Sequence, residues 1–239
     1  PYSYQNPREV VETNILGTFN ILIASRDHGV DRVVSTSTSE VYGSARYVPI
    51  DEKHPLQGQS PYSASKIGAD KIAESFYAAY SLPVITVRPF NSYGPRQSAR
   101  AIIPTLITQA LASSEIKLGN TEARRDFTFV SDTVAGFLAA ASCPEAIGKV
   151  INIGSGRDIS IGELAELIIQ ITGSPAKLVI DQERIRPEKS EVNRLLADNR
   201  RAKEILGWEP KVSLEEGILK TTEWISKNLD RFHVGKYQI

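Results

Sequence analysis

The feature that most constrains this chain is a repeated switch of apolar period in its first third. In PREVVETNILGTFNILIASRDHG, apolar side chains recur at Val11, Ile15, Phe19, Leu22 and Ile23, the stripe of one helix face. Pro7 suits the first turn of that helix and Gly29 its stop. VDRVVSTST is then a short β-branched run, and SPYSASKIGADKIAESFYAAYS carries Ile67, Ile72, Phe76 and Tyr80 along one side. LPVITVRPFNSYG follows as a second apolar run that ends in a loop. Helix, strand, helix, strand at this spacing predicts βαβ units, and therefore a parallel sheet.

The same alternation continues. AIIPTLITQALAS reads as a helix, EIKLGN as a short strand and SDTVAGFLAAASC as a helix capped by Ser131 or Asp132. GKVINIGSG is one more sheet strand. SIGELAELIIQITG is an amphipathic helix with a capping box from Ser160 to Glu163. AKLVIDQ is a strand, and NRRAKEILGW and LEEGILKTTEWISKNL are terminal helices. No repeat, low-complexity tract or flexible linker separates the halves, so the second half is expected to pack against the first with a cleft between them.

Composition narrows the function classes. The 239 residues are 41% hydrophobic, enough for a sizeable core in one or two domains. A formal net charge of zero argues against a general nucleic-acid binder. The single cysteine, Cys143, allows no intramolecular disulfide and no zinc-ligand spacing, and reads as a core filler at a helix end. His28, His54 and His233 sit in no ligand-like cluster, and no metal site is expected. The apolar runs are too short to span a membrane and no signal peptide is visible, which makes a soluble cytoplasmic protein the expectation. The chain contains no Met and starts on PYSYQNP, which reads as mid-loop; it is expected to be incomplete at its N-terminus.

The chemistry concentrates in STSTSEVYG and YSASK. In an open parallel sheet, ligands bind at the carboxyl ends of strands, and Thr36, Ser37, Thr38, Ser39 and Glu40 occupy such an end. Taken alone, such a run of hydroxyls reads as an ordinary strand-to-loop turn. Tyr62 and Lys66 change the balance. Four residues on a helix place them on one face, about 6 Å apart along the axis. An ammonium near a phenol favours the phenolate, which makes a base for an alcohol proton.

TSEVYG, YSASK and RPFNSYGPR together resemble the extended short-chain dehydrogenase/reductase family, the nucleotide-sugar epimerases and dehydratases. NILGT, RRDFTFVSD, INIGSG and DNRRAKEILGW match later landmarks of that family in order, over essentially the whole chain. The resemblance implies an α/β fold: a Rossmann-like parallel sheet, N-terminally incomplete, with a smaller C-terminal substrate-binding α/β subdomain. It places the cofactor-binding core at 1–91 with returning segments at about 126–154, and the subdomain at 92–125 and 155–239. The family's G-x-x-G-x-x-G turn is missing from this chain. GSGRDISIG, residues 154–162, lies too late and matches a family turn near the substrate.

What the family implies for individual residues is specific. Thr38, Ser39, Glu40, Tyr62 and Lys66 are the catalytic set, and Tyr62, Lys66 and Pro89 contact the NAD cofactor. Asn91, Arg125 and Arg186 hold a nucleotide-diphosphate sugar, with Arg96 and Arg100 left open and Arg124 structural. VPIDEKHPLQGQSPYSASKIGAD is similar to bacterial 4,6-dehydratases that act on nucleotide-linked N-acetylglucosamine for legionaminic-type sugars. In the mechanism so implied, Tyr62 takes the proton of the 4-hydroxyl, hydride passes to NAD, Glu40 removes the carbon-5 proton and water leaves from carbon 6. Many relatives have Asp where this chain has Ser39, so the proton for the departing hydroxyl comes from Glu40 or through water. The alternatives are a 4-epimerase, a uronic-acid decarboxylase and a non-catalytic fragment lacking the NAD site. The family also implies a homodimer through helices at about 8–28 and 62–80, and neither nucleic acid nor membrane as partner.

Overall fold

The computed structural model describes residues 2–184 and 191–234. A short turn of helix, α1 (Tyr2–Gln5), precedes α2 (Pro7–Val11) and α3 (Gly17–Asp27). α2 and α3 are joined by a π-helical turn, Glu12–Leu16, so the expected single helix is continuous in space but underwound in the middle. The turn is pressed against the next helix: a Cβ on Gly68 would lie 2.8 Å from Ile15 Cδ1, and Asn14 Nδ2 donates to Ser65 Oγ at 2.9 Å. π turns of this kind recur at functional sites.

β1 (Val33–Thr36), α4 (Pro61–Tyr80) and β2 (Val84–Pro89) form the first βαβ unit. The chain then leaves this sheet through β3 (Asn91–Tyr93), α5 (Ile102–Ala112), β4 (Glu115–Leu118) and β5 (Arg124–Phe129). α6 (Val130–Ser142) returns it to the sheet at β6 (Val150–Ile153). β7 (Asp158–Ser160), α7 (Ile161–Thr172), β8 (Lys177–Ile180), β9 (Arg194–Leu195), α8 (Arg200–Leu206) and α9 (Leu214–Ser226) complete the described chain.

Three sheets result. β1, β2 and β6 run parallel, in that order, with Thr36 opposite Val87 and Pro89 opposite Ile153. β5 is the centre of a second sheet, parallel to β3 and β9 and antiparallel to β7. β4 and β8 form a parallel pair. This is a mixed α/β, Rossmann-like architecture in which a three-stranded parallel sheet is covered on both faces, as parallel sheets require. Leu22, Ala73, Phe76 and Val84 pack one face, while Ile85, Val87, Ile151, Ile153 and Trp208 pack the other. A separate core of α5, α7 and α9 residues, among them Leu106, Leu164 and Ile218, lies over β5.

Local signals explain most of these elements. Pro61 occupies the first turn of α4 behind a Ser60–Ser63 capping box, and Ser160–Glu163 forms the expected box on α7. The cap of α6 differs from expectation: Phe129 is the N-cap and makes no side-chain cap bond. Asp132 is drawn away instead, its Oδ2 accepting from Lys211 N and Val212 N at 2.9 Å each. That contact ties α6 to the segment before α9 and outweighs one local cap bond.

Candidate active site

The end of β1 is tied to α4 residue by residue. Thr36 O accepts from Lys66 Nζ at 2.5 Å. Ser37 Oγ donates to Asp70 Oδ2 at 2.8 Å. Thr38 hydrogen-bonds the Tyr62 phenol. Three successive residues of the strand end thus meet residues on three successive turns of one helix face, which is where the four-residue spacing puts them. Thr38 is extended, with φ −159° and ψ 153°, and caps the 3₁₀ turn Ser39–Tyr42 by accepting from Glu40 N at 3.2 Å. The Thr38 bond lowers the Tyr62 pKa, the effect of its hydroxyl proton being given to the phenol oxygen.

Beneath this seam lies a buried ion pair that the sequence reading missed. Arg88 Nη2 and Nε reach Asp70 Oδ2 at 2.9 and 3.1 Å, with side-chain exposures of 5% and 4% for the two residues. Arg88 Nη1 donates to Tyr42 Oη at 3.0 Å, and Tyr42 donates on to Asn152 Oδ1 at 2.7 Å. Burial pushes the Tyr42 phenol up to about 12, so it stays a neutral donor. The network links β1, the 3₁₀ turn, α4, β2 and β6. Two signals were available: a carboxylate four residues after Lys66 on the same helix face, and an arginine inside the apolar run VITVRP.

The electrostatics of the Tyr-Lys pair depart from the expectation that the lysine lowers the phenol's pKa. Desolvation raises Tyr62 above the ordinary tyrosine value, the Thr38 hydrogen bond opposes it, and the Glu40 and Asp70 charges add to it. Lys66 is itself pulled below the ordinary lysine value by burial, with Asp70 opposing. The physical reason is placement: the ammonium is committed to the Thr36 carbonyl, so burial dominates the phenol.

Beside the seam opens a cavity of about 310 Å³. Glu40, Asn91 and Arg125 line it, as do Gln97, Arg100, Lys117, Arg184 and Glu191. Arg125 is nearly buried and its Nη2 lies 3.4 Å from Glu191 Oε1. Arg184, which the sequence reading did not single out, lines the cavity while paired with Asp181 at 3.0 Å. Ser39 is 2% exposed and is not part of the lining. Pro89 ends β2. Arg124 pairs with Asp158 and Glu163 at 3.4 and 3.1 Å, a structural role. Arg96 is exposed, with φ 69°, and outside the lining. Arg186 lies outside the described residues. His54 is buried and accepts from Arg46 N at 2.9 Å, a structural contact.

The GSG turn has a different occupant from a phosphate. Asp126, fully buried, accepts from Ser155 N at 2.7 Å, Ser155 Oγ at 2.6 Å, Gly156 N at 2.9 Å and Ala197 N at 3.1 Å. A Cβ on Gly154 would come within 2.2 Å of Ala197 Cβ, so glycine there is a packing requirement. The amides of this turn are consumed by the protein's own carboxylate.

A family model described as GDP-mannose 4,6 dehydratase matches residues 1–221. The chain belongs to the NAD-dependent epimerase/dehydratase family. It is 36% identical over 219 residues to the dTDP-glucose 4,6-dehydratase of Streptomyces griseus, covering 91% of this chain and 66% of that protein. It is 33% identical over 232 residues to the UDP-glucuronate 4-epimerase of Thermodesulfobacterium geofontis, covering 95% of this chain and 69% of that one. The crystal structure of DesIV, a dTDP-glucose 4,6-dehydratase from Streptomyces venezuelae with NAD bound, superposes with a TM-score of 0.88 at 30% identity, over 97% of this chain and 71% of its own.

The residues of this family member fit the nicotinamide-ribose end of such a cofactor. Lys66 carries three N–H donors, and its bond to Thr36 O uses one. Tyr62, one turn before it on α4, is 37% exposed as a residue. An ammonium and a phenol at a strand end match a ribose diol and an alcohol substrate. No glycine-rich turn suited to a pyrophosphate occurs among the described residues, since the GSG amides serve Asp126.

Proposed function

We propose that this chain carries the catalytic machinery of an NAD-dependent nucleotide-sugar 4,6-dehydratase acting on UDP- or GDP-linked N-acetylglucosamine, giving the 4-keto-6-deoxy sugar. The observation that carries this reading is Glu40: a carboxylate in the cavity wall, two residues beyond the threonine that meets Tyr62. Tyr62 accepts the proton of the substrate's 4-hydroxyl, with Thr38 bridging the phenol and the 4-oxygen. Lys66, anchored on Thr36 O, holds the ribose side. NAD, when bound, supplies the reversible hydride acceptor and a positive charge that favours the phenolate. Glu40 takes the carbon-5 proton, made acidic by the adjacent ketone, and delivers it to the departing 6-hydroxyl; the cycle closes when the hydride goes back to carbon 6 and Glu40 passes a solvent proton to carbon 5. Ser39 is buried and a poor acid, so one carboxyl serves both proton transfers. Arg100, Arg125, Arg184 and Lys117 supply the cations a diphosphate needs.

Incubating the enzyme with NAD and UDP- or GDP-N-acetylglucosamine in deuterated water should give a product lighter by one water and labelled at carbon 5. Glu40→Gln should lower that dehydration by a factor on the order of 10² to 10⁴ and abolish label entry. Undiminished dehydration by the variant removes Glu40 from the mechanism. A 4-epimerase is the second reading, favoured by the absence of an acidic side chain at Ser39; it gives a product of unchanged mass.

A homodimer through α2–α3 and α4 belongs to the same proposal. Leu16 and Phe19 on one side, and Tyr77 and Tyr80 on α4, are 53%, 40%, 41% and 54% exposed, an apolar surface that the sheet does not use. A self-complementary twofold contact would cover it. Light scattering at micromolar concentration should return twice the chain mass; a clean monomer contradicts the proposal.

A further inference from the structure

The cavity lining carries both signs of charge. Arg100, Lys117, Arg125 and Arg184 are its cations, and Glu40 and Glu191 are its carboxylates. Glu40 serves the chemistry; Glu191 has no part in it. Glu191 Oε1 lies 3.4 Å from Arg125 Nη2, with the two side chains 14% and 10% exposed. That contact is long beside the roughly 2.7–2.9 Å of a charge-assisted N–H···O bond, and neither partner is sealed from solvent. Arg184 differs. Its partner Asp181, three residues earlier in the chain, is outside the lining, so that pair can persist beside a bound anion.

The backbone on both sides of the Glu191–Arg125 pair is fixed. Arg125 is held in β5 between Ile159 and Leu195, and its Nη1 donates to Arg124 O at 3.0 Å. Glu191 O accepts from Ser44 Oγ at 3.2 Å, and Val192 is buried with Val41 and Tyr42. Breaking the pair therefore takes a rotation of the Glu191 side chain and no change of fold. A phosphate oxygen offers Arg125 a shorter bond of the same charge-assisted kind. It also brings negative charge up to Glu191, and two anions a few ångströms apart repel strongly where water is partly excluded.

We propose that Glu191 is an intramolecular competitor of the ligand's diphosphate: it pairs with Arg125, is displaced from it when the phosphate binds, and so lowers the cavity's affinity for anions. The proposal rests on the nucleotide-sugar reading above. Its consequence is selectivity. A small inorganic anion has only its charge to set against the displacement of Glu191, whereas a nucleotide sugar has its base and sugar contacts as well.

The test is calorimetry at fixed ionic strength, with inorganic pyrophosphate, UDP and GDP as probes. Glu191→Gln should tighten pyrophosphate about tenfold, the order expected from removing one like charge at this range. Glu191→Ala should do the same without an amide to offer the ligand. In an Arg125→Gln background the gain from Glu191→Gln should be smaller by about threefold or more, since no guanidinium is left to release. An equal gain in both backgrounds overturns the proposal, because Glu191 then acts only as a general negative charge. A gain with Gln but not with Ala overturns it too, because the new amide is then the donor. Unchanged or weaker pyrophosphate binding in both Glu191 variants overturns it and leaves the nucleotide-sugar reading standing when the wild type binds UDP or GDP. A wild type that binds neither nucleotide overturns that reading and this proposal with it.

Discussion

Asp70 and Asp126 are both buried carboxylates, one behind the catalytic wall and one behind the cavity wall, and they are held in opposite ways. Asp70 faces a guanidinium fork and a serine hydroxyl, so charge meets charge. Asp126 accepts from three backbone amides and a hydroxyl, and burial pushes it from 3.8 up to about 6 despite those donors. The difference follows the work each wall does. The Thr36–Thr38 seam must hold Tyr62 and Lys66 at fixed positions, and a charged clamp resists displacement. The GSG turn needs only its backbone gathered, and four donors do that without adding charge near a site already rich in cations.

The comparison can be broken at several points. Tyr62→Phe should have the largest effect, a loss of turnover on the order of 10² to 10⁴ with substrate affinity nearly unchanged; turnover within a few-fold of wild type would reduce the seam to packing. Asp70→Asn leaves Arg88 buried and unbalanced, and should cost about 3–5 kcal/mol in urea unfolding. Adding Arg88→Met to it should recover much of that loss, and two independent losses would show that the pair does not act as one unit.

Asp126 predicts a pH dependence instead. Its folded pKa lies above its unfolded one, so the native state binds this proton more tightly. Its contribution is therefore full below about pH 4 and fades as pH rises through about 6, by up to roughly 3 kcal/mol. Asp126→Asn should remove that slope from the stability profile; an unchanged slope between these pH values would assign it elsewhere. Ser37→Ala should be smallest, about 1 kcal/mol, since Arg88 still satisfies Asp70.

Much of the site was legible because the spacing that makes a helix face also makes the seam. Tyr62 and Lys66 stand one turn apart, and the hydroxyl run ends a strand, so both could be read as chemistry before any contact was known. Glu40, Asn91 and Arg125 do line the cavity. Arg88, Arg184 and Glu191 were not singled out. Nothing in VITVRP says which strand residue points under α4, and nothing in EKSEV says that the Glu191 carboxylate meets Arg125. The Asp132 cap failed for a related reason: a local rule was overruled by contacts almost eighty residues away in sequence.

By itself, the sequence determined the βαβ order, the parallel sheet, the capping boxes and the placing of Tyr62 and Lys66 on one helix face, because each is written in residues a few positions apart. Tertiary structure alone decided the charge balance. It placed Arg88 against Asp70, took the GSG amides for Asp126 and spent Lys66 on a carbonyl. Those outcomes depend on which groups lose water together, and desolvation is a property of the assembled neighbourhood that no local spacing encodes.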